Sequence, residues 1–247
     1  MKTFIVNLKH STERRKRIAE QCIKLNLDYE FIEAVDGRLL SQEELQRQTR
    51  ELSDAITPGE IGCALSHIKI YRNIVENNIP MALILEDDVI LNEHLPEFLN
   101  EIQQEKIIAP SAILLSKAGQ YFEHSKYKLP CGVDIKSVLN ASLTCGYVLN
   151  NQAAKNLIAF LYPVWLVADR WEFFRENGVI KLCCTVPVLV TESEDAVNTT
   201  ISGRDSEHNI KAGKIWKEIR KRRPFSVKIK NILWKIFVRK IYKIKKD

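Results

Sequence analysis

Three consecutive acids, Glu86, Asp87 and Asp88, interrupt the otherwise apolar run ALILEDDVIL at residues 82–91. An apolar stretch of this length becomes a buried strand, and unpaired carboxylates inside it would be strongly destabilising. The conflict resolves if residues 81–85 form a strand and the acids emerge at its carboxyl end, where open α/β sheets bind ligands. Carboxylates gathered there suit a hard divalent cation, Mn²⁺ or Mg²⁺, which prefers carboxylate and phosphate oxygens. Strand alternation puts Glu86 and Asp88 on one side and Asp87 on the other, so the first pair can share a metal–diphosphate site. The competing explanation is an acidic turn that pairs with arginine or caps a helix. The triplet alone does not choose between them.

The elements around it read as a layered α/β fold. Residues 3–8 form a continuous β-type run, and Ser11/Thr12 open a charged amphipathic helix to about residue 27. A short strand at 29–33 ends before Asp36-Gly37, giving a β–α–β opening and the start of a parallel sheet. A polar helix occupies 41–50. Thr57-Pro58-Gly59-Glu60 reads as an N-cap, a first-turn proline and a capping-box acid, opening a helix to about residue 77. The strand at 81–85 shows no alternation, which predicts a central position covered on both faces. Further strands are expected at 111–115 and 142–149, helices at 151–161 and 168–177, and a strand pair within 179–190. Residues 117–137 and 191–210 read as loops, the first of them substrate-facing.

A chain of 247 residues with 45% hydrophobic and 28% charged residues is a folded, enzyme-sized protein, which excludes disordered and fibrous classes. The net charge of +6 is unevenly distributed: residues 211–247 carry 15 Lys/Arg against 2 Asp/Glu, leaving 22 basic and 29 acidic residues before them. The six cysteines show no CxxC and no metal-type pairing with histidine, so reduced, mostly buried thiols are expected. Neither a signal peptide nor a membrane-spanning segment is legible, which points to the cytoplasm.

IVNLKHSTERR, EAVDG, TPGEIGCALSH and ALILEDDVIL, in this order, resemble glycosyltransferase family 25, as does TCGYVLNNQAAKNL at 144–157. The resemblance covers roughly residues 3–200. It implies a GT-A-like, Rossmann-type mixed sheet flanked by helices, a nucleotide-sugar donor and inversion at the anomeric carbon. Glu86-Asp87-Asp88 stands in the place of the DxD-type metal motif, with Glu where a literal DxD has Asp. That makes Asp88 the foremost metal ligand, with Glu86 beside it, while Glu86 or Asp87 can alternatively meet ribose hydroxyls. Asn7 and Arg14 or Arg15 match the opening motif and face nucleotide or phosphate, unless the arginines lie on a solvated helix face. Asp36 and Gly37 read base or ribose, or form a plain turn. Ser66 and His67 lie in the TPGE helix, where the match favours a binding role over simple packing.

Inverting transfer needs a general base for the acceptor hydroxyl, held apart from the metal. Asp169, at a matching family position, is the leading candidate, and the adjacent Trp171 offers a face for a sugar ring or else joins the core. Glu172, Glu194 and Asp195 are weaker candidates, and His208 could complete a metal shell or sit alone on the surface. The family includes bacterial lipooligosaccharide galactosyltransferases, so the implied reaction moves galactose from UDP-galactose to a lipid-linked oligosaccharide. Another UDP-sugar (glucose or GlcNAc), a nucleotidyltransferase activity and a non-catalytic nucleotide-sugar binder are the rival readings.

The basic C-terminus lies outside the resemblance. Ile229, Ile232, Leu233, Ile236, Phe237, Ile241 and Ile244 recur at helical spacing among lysines and arginines, the pattern of a helix lying on anionic lipid. A nucleic-acid tail would not need that apolar stripe. The chain thus divides into a catalytic domain at 1–205 and a tail at 206–247, peripheral on the inner face of the cytoplasmic membrane.

Overall fold

The computed structural model describes residues 1–194, 206–238 and 241–246. β1 (Lys2–Asn7), α1 (Thr12–Lys24) and β2 (Asp28–Glu33) make the expected β–α–β unit, with the two strands parallel. α2 (Gln42–Gln48) and α3 (Pro58–Glu76) follow, and β3 (Met81–Glu86) then returns parallel to β1 on its other side. In register, Val6 stands beside Glu86 and Asn7 beside Glu33. The carboxyl ends of β1, β2 and β3 therefore open onto one crevice.

β3 runs into the acidic turn, and β4 (Val89–Leu91) leaves it, followed by α4 (Leu95–Ile102). β5 (Ser111–Leu114), β6 (Gln120–Lys128), β7 (Asp134–Asn140) and β8 (Gly146–Asn150) precede α5 (Asn151–Leu161) and α6 (Trp171–Glu176). β9 (Lys181–Val186) and β10 (Val190–Glu192) come next, then α7 (Ser206–Lys221), α8 (Phe225–Leu233) and β11 (Ile244–Lys246). The main sheet has the order β11-β6-β7-β9-β5-β8-β3-β1-β2, and β4 pairs separately with β10. It is a mixed sheet, because β8 is antiparallel to both β3 and β5 while β5 and β9 are parallel.

Two apolar layers explain why β3 lacks alternation in the sequence. Leu83 and Leu85 pack with Ile18 and Cys22 of α1 and Phe98 and Ile102 of α4. Ala82 and Ile84 face the other way, toward Ile68 and Ile74 of α3 and Leu157 of α5. Each large side chain so buried contributes about 1.5–3 kcal/mol, which fixes where β3 ends and hence where its acids emerge. α3 starts as the TPGE motif requires: the Thr57 hydroxyl accepts from Glu60 N at 3.2 Å, and the Glu60 carboxylate accepts from Thr57 N at 3.0 Å.

Five expectations need correction. Residues 117–137 are mostly not loop, since β6 and β7 form an antiparallel pair there. Their polar residues mark a sheet with one wet face, which the composition disguises. The strand expected from 142 starts at Gly146, and the 191–210 loop is bounded by β10 and α7. β9 and β10 do not pair with one another, for β9 lies between β5 and β7 in the main sheet. In the C-terminal segment the α-helical period runs through Leu233, a π-helical stretch follows at Trp234–Val238, and Ile244 pairs with Phe122 of β6 instead of joining a helix. An open strand edge supplies hydrogen-bond partners that a helix end lacks. Trp234 and Tyr242 close over Phe122 with ring centroids 6.0 and 5.3 Å away. Among the described residues, no helix is long and apolar enough to cross a membrane.

Candidate active site

At the carboxyl ends of β1, β2 and β3 lies a cavity of about 260 Å³. Its wall takes Arg14 from the start of α1, Asp36 and Gly37 from the loop after β2, and Ser66 and His67 from α3. Glu86, Asp87 and Asp88, the 143–144 segment, Asp169 and Glu192 complete it. Asn7 stands at its edge, donating to Asp87 Oδ2 at 2.7 Å and to Ser11 O at 3.1 Å. The sequence-predicted site residues, scattered from 7 to 169, thus converge on one crevice.

The acids do not alternate as a strand would have them. β3 stops at Glu86 and the chain turns at Asp87-Asp88, which sends Asp87 and Asp88 together toward Arg14. Arg14 Nη1 lies 3.4 Å from Asp87 Oδ1 and 3.0 Å from Asp88 Oδ2. Glu86 has other partners, accepting a short hydrogen bond from the Thr144 hydroxyl, with His67 Nε2 at 3.6 Å. Arginine pairing, the bland alternative for an acidic turn, is therefore real, but one guanidinium does not balance three carboxylates. Burial and the neighbouring Glu86 raise the Asp88 carboxyl to about 6 despite Arg14. Burial also raises Asp87, against the opposing pull of Asn7 and Arg14. For Glu86, burial pushes upward, yet the imidazole and the Thr144 hydroxyl hold it below its ordinary value. Among the described residues, the acids at this oxygen-rich turn outnumber the one guanidinium that meets them, which fits a hard divalent cation that Asp88 and Glu86 could hold.

Other predicted residues have structural duties as well. Ser66 Oγ accepts from Val35 N at 2.8 Å and donates to Gly62 O at 2.7 Å, tying the loop after β2 to α3. Gly37 is buried where that loop meets the helix start, and a Cβ there would fall 1.7 Å from Pro58 O. Asp36 caps the 3₁₀ turn Gly37–Leu39 and pairs with Arg38 at 2.7 Å, which keeps its carboxyl below the ordinary range. His67 is buried, its Nδ1 2.8 Å from the Tyr147 hydroxyl. Arg15 is exposed and stacks on Phe31 at 3.7 Å, so of the two arginines Arg14 alone lines the cavity.

Asp169 also lines the cavity, where Oδ2 accepts from Leu143 N at 3.4 Å. Trp171 does not offer its face to a ligand. It is fully buried, donates its indole N–H to Leu143 O at 2.8 Å and stacks edge-on with Tyr147. Glu172 sits on α6 among Glu176, Arg175 and Arg220, away from the crevice. Glu194 lies outside the main cavity, in a shallow groove with Arg17 and Gln21, and Asp195 falls outside the described residues. His208 is no lone surface residue: it is buried, with Nε2 3.2 Å from Glu60 Oε1.

Several residues at the site carry no sequence signal. Buried Asp54 accepts from Val167 N at 2.9 Å and Arg170 Nε at 2.6 Å, pinning the segment that holds Asp169. Leu143, at φ +76°, is a strained non-glycine position that costs about 1–3 kcal/mol, held by its bonds to Asp169 and Trp171. Glu192 arrives through the β4–β10 pairing, in which it stands opposite Val89. Cys63, expected to have no histidine partner, lies one helical turn before His67 and close to both His67 and Glu86.

The family model for glycosyltransferase family 25 (LPS biosynthesis protein) matches residues 1–171. The chain is 28% identical over 169 residues to procollagen galactosyltransferase 1-A of Xenopus laevis, covering 63% of this chain and 27% of that protein. It thus spans about a quarter of the length of such relatives. A Haemophilus influenzae protein named "Putative glycosyltransferase" is 26% identical over 219 residues, covering 83% of this chain and 77% of its own. A glycosyltransferase 25 family member of Drosophila pseudoobscura is 30% identical over 169 residues, covering 63% of this chain and 26% of that protein. With a motif order, a mixed α/β sheet and a family match that agree, this chain belongs to glycosyltransferase family 25.

Proposed function

We propose that the chain is an inverting, metal-dependent glycosyltransferase that moves galactose from UDP-galactose to a lipooligosaccharide or lipopolysaccharide acceptor. The observation that carries the reading is the acidic turn at the end of β3, set in one cavity with Arg14, Asp36 and Asp169. Membership of family 25 supports glycosyl transfer, and the name of the procollagen galactosyltransferases supports galactose.

In this reading Asp88 and Glu86 hold Mn²⁺ or Mg²⁺, which when bound neutralises charge on the departing diphosphate. Arg14 and Asn7 keep the acidic turn in place and face the phosphate end of the donor. Asp36 and the backbone at Gly37, behind Ser66 and His67, meet the nucleoside. Asp169 takes the proton from the acceptor hydroxyl as that oxygen attacks the anomeric carbon and UDP leaves from the opposite side. Asp169 is held by Leu143 N and not by the acidic turn, which suits a base that must stay free of the cation.

The acceptor would be lipid-linked, and the C-terminal segment supports a membrane-surface location. Phe225, Ile232, Leu233, Phe237 and Ile241 are all exposed within a strongly basic segment. Ile215, Trp216 and Ile219 of α7 pack on the body, so the apolar side of α7 is used internally while that of α8 is not.

The deciding assay measures release of UDP from a panel of UDP-sugars with Mn²⁺ and lipooligosaccharide. Preferred use of UDP-galactose, lost in Asp88→Ala, is the expected result. Pyrophosphate as product, or full activity of Asp88→Ala with metal chelated, would reject the reading.

A further inference from the structure

We propose that Cys63, His67 and Glu86 form a binding site for one borderline divalent transition-metal ion such as Zn²⁺. Cys63 and His67 are four residues apart on α3, which puts both side chains on one face of the helix. Glu86 reaches them from the end of β3, and the three ligand atoms all lie within 4.8 Å of one another.

The histidine is the informative member. Its ring is buried, and among the described residues Nε2 has no hydrogen-bond partner. Glu86 Oε1 is the neighbouring carboxylate oxygen at 3.6 Å, too far for a hydrogen bond but close to the separation of two ligands on one ion. Zinc holds nitrogen, oxygen and sulfur at 2.0–2.3 Å, so its ligands sit about 3.3–3.8 Å apart. On the far side of the ring, Nδ1 meets the Tyr147 hydroxyl at 2.8 Å, and that hydroxyl meets Tyr71 at 2.9 Å. Metal binding selects the tautomer with the proton on Nδ1, donated to Tyr147, and that frees the Nε2 lone pair on the side of Glu86 and Cys63. An outer partner of this kind fixes the tautomer and orientation of metal-binding histidines.

One sulfur, one nitrogen and one oxygen make a donor set suited to Zn²⁺ or Co²⁺ rather than to Mg²⁺. Cys63 loses its thiol proton to solvent on binding, and the sulfur becomes the ligand. All three residues line the cavity, so a fourth coordination position opens into it. The site is separate from the hard-cation position at Asp88 in chemistry, although Glu86, with two carboxylate oxygens, borders both. It does not depend on the transfer reaction.

The test titrates the metal-stripped full chain with Co²⁺ and follows thiolate-to-cobalt charge-transfer absorption. A 1:1 complex with that band is expected, abolished in Cys63→Ser and retained in Asp88→Asn. In His67→Ala, affinity should fall by more than the ~10–100-fold that loss of an outer partner costs. Circular dichroism checks that each variant is folded. A second readout needs no variant: Zn²⁺ should protect Cys63 of the unaltered chain from iodoacetamide, read by peptide mass spectrometry, with half-exposed Cys131 as internal control. No charge-transfer band, a band that survives Cys63→Ser, or equal alkylation of Cys63 with and without Zn²⁺ would each overturn the proposal.

Discussion

Arg14 Nη1 lies 3.0 Å from Asp88 Oδ2, and the same nitrogen lies 3.4 Å from Asp87 Oδ1. A residue at the start of the first helix thus supplies positive charge to a turn more than seventy residues later. The contact is possible because β1 and β3 are parallel neighbours whose ends coincide.

Replacing Arg14 with alanine should destabilise the fold by about 1–3 kcal/mol, since it leaves two partly buried carboxylates without that partner. Denaturant unfolding reads the loss, and UDP release should fall in parallel because the acidic turn is no longer held. Arg14→Lys should recover part of the stability but less of the activity, as an ammonium keeps the charge but not the planar guanidinium that sets Nη1 beside both carboxylates.

The raised Asp88 carboxyl makes a pH prediction for the metal-chelated protein. In the folded chain it titrates at about 6, against 3.8 ordinarily. Between those values the folded form keeps a proton that the unfolded form has lost, so stability falls as pH rises through the window. About two pKa units correspond to at most ~3 kcal/mol. Asp88→Asn should therefore melt higher than the parent at pH 7.5, with the gain vanishing near pH 4. Equal melting temperatures at pH 7.5 would contradict the charge imbalance at the turn.

For Asp169→Asn, kcat should drop by about 10²–10⁴-fold, the range for a lost general base. Donor KM should stay near that of the parent, because Asp169 is bonded to Leu143 and not to the acidic turn. Steady-state kinetics with saturating acceptor separate the two parameters, and a rise in donor KM with kcat intact would reassign the residue to donor binding.

Gly37→Ala tests the seam between the β2 loop and α3. The added methyl would meet backbone, with Pro58 O at 1.7 Å and Gly62 N at 3.1 Å, so no side-chain rotation relieves it. A loss of roughly 1–3 kcal/mol or more is expected in denaturant unfolding.

The exposed lysines of the C-terminal segment should govern attachment to anionic lipid. Reversing Lys230 and Lys235 to glutamate removes two attractive charges, each worth about 1 kcal/mol at such a surface, or roughly a 30-fold loss in partitioning at minimum. Co-sedimentation with phosphatidylserine-containing vesicles measures it. Pure phosphatidylcholine vesicles should bind parent and variant equally weakly.

The sequence by itself determined the local events. Thr57-Pro58-Gly59-Glu60 started α3, and α5 fell at the predicted residues because the Asn150 side chain caps it. The unbroken run at 82–85 marked β3 as covered on both faces, with Glu86 at its end. These are properties of neighbours in the chain, where period, cap and breaker act over a few residues. The family motifs added which of these neighbours meet in one crevice.

Tertiary structure alone decided the rest, because each deciding contact joins residues distant in the chain. The turn after Glu86 overrode strand alternation and turned Asp87 and Asp88 together toward Arg14. Trp171 was assigned to the core by Tyr147 and Leu143, and β6 and β7 took shape only because β9 offered an edge beyond them. Cys63 and His67 share a helix face in any reading of α3. Their common neighbour Glu86 comes from a strand whose position the packing of two apolar layers sets, and no spacing rule along the chain encodes that.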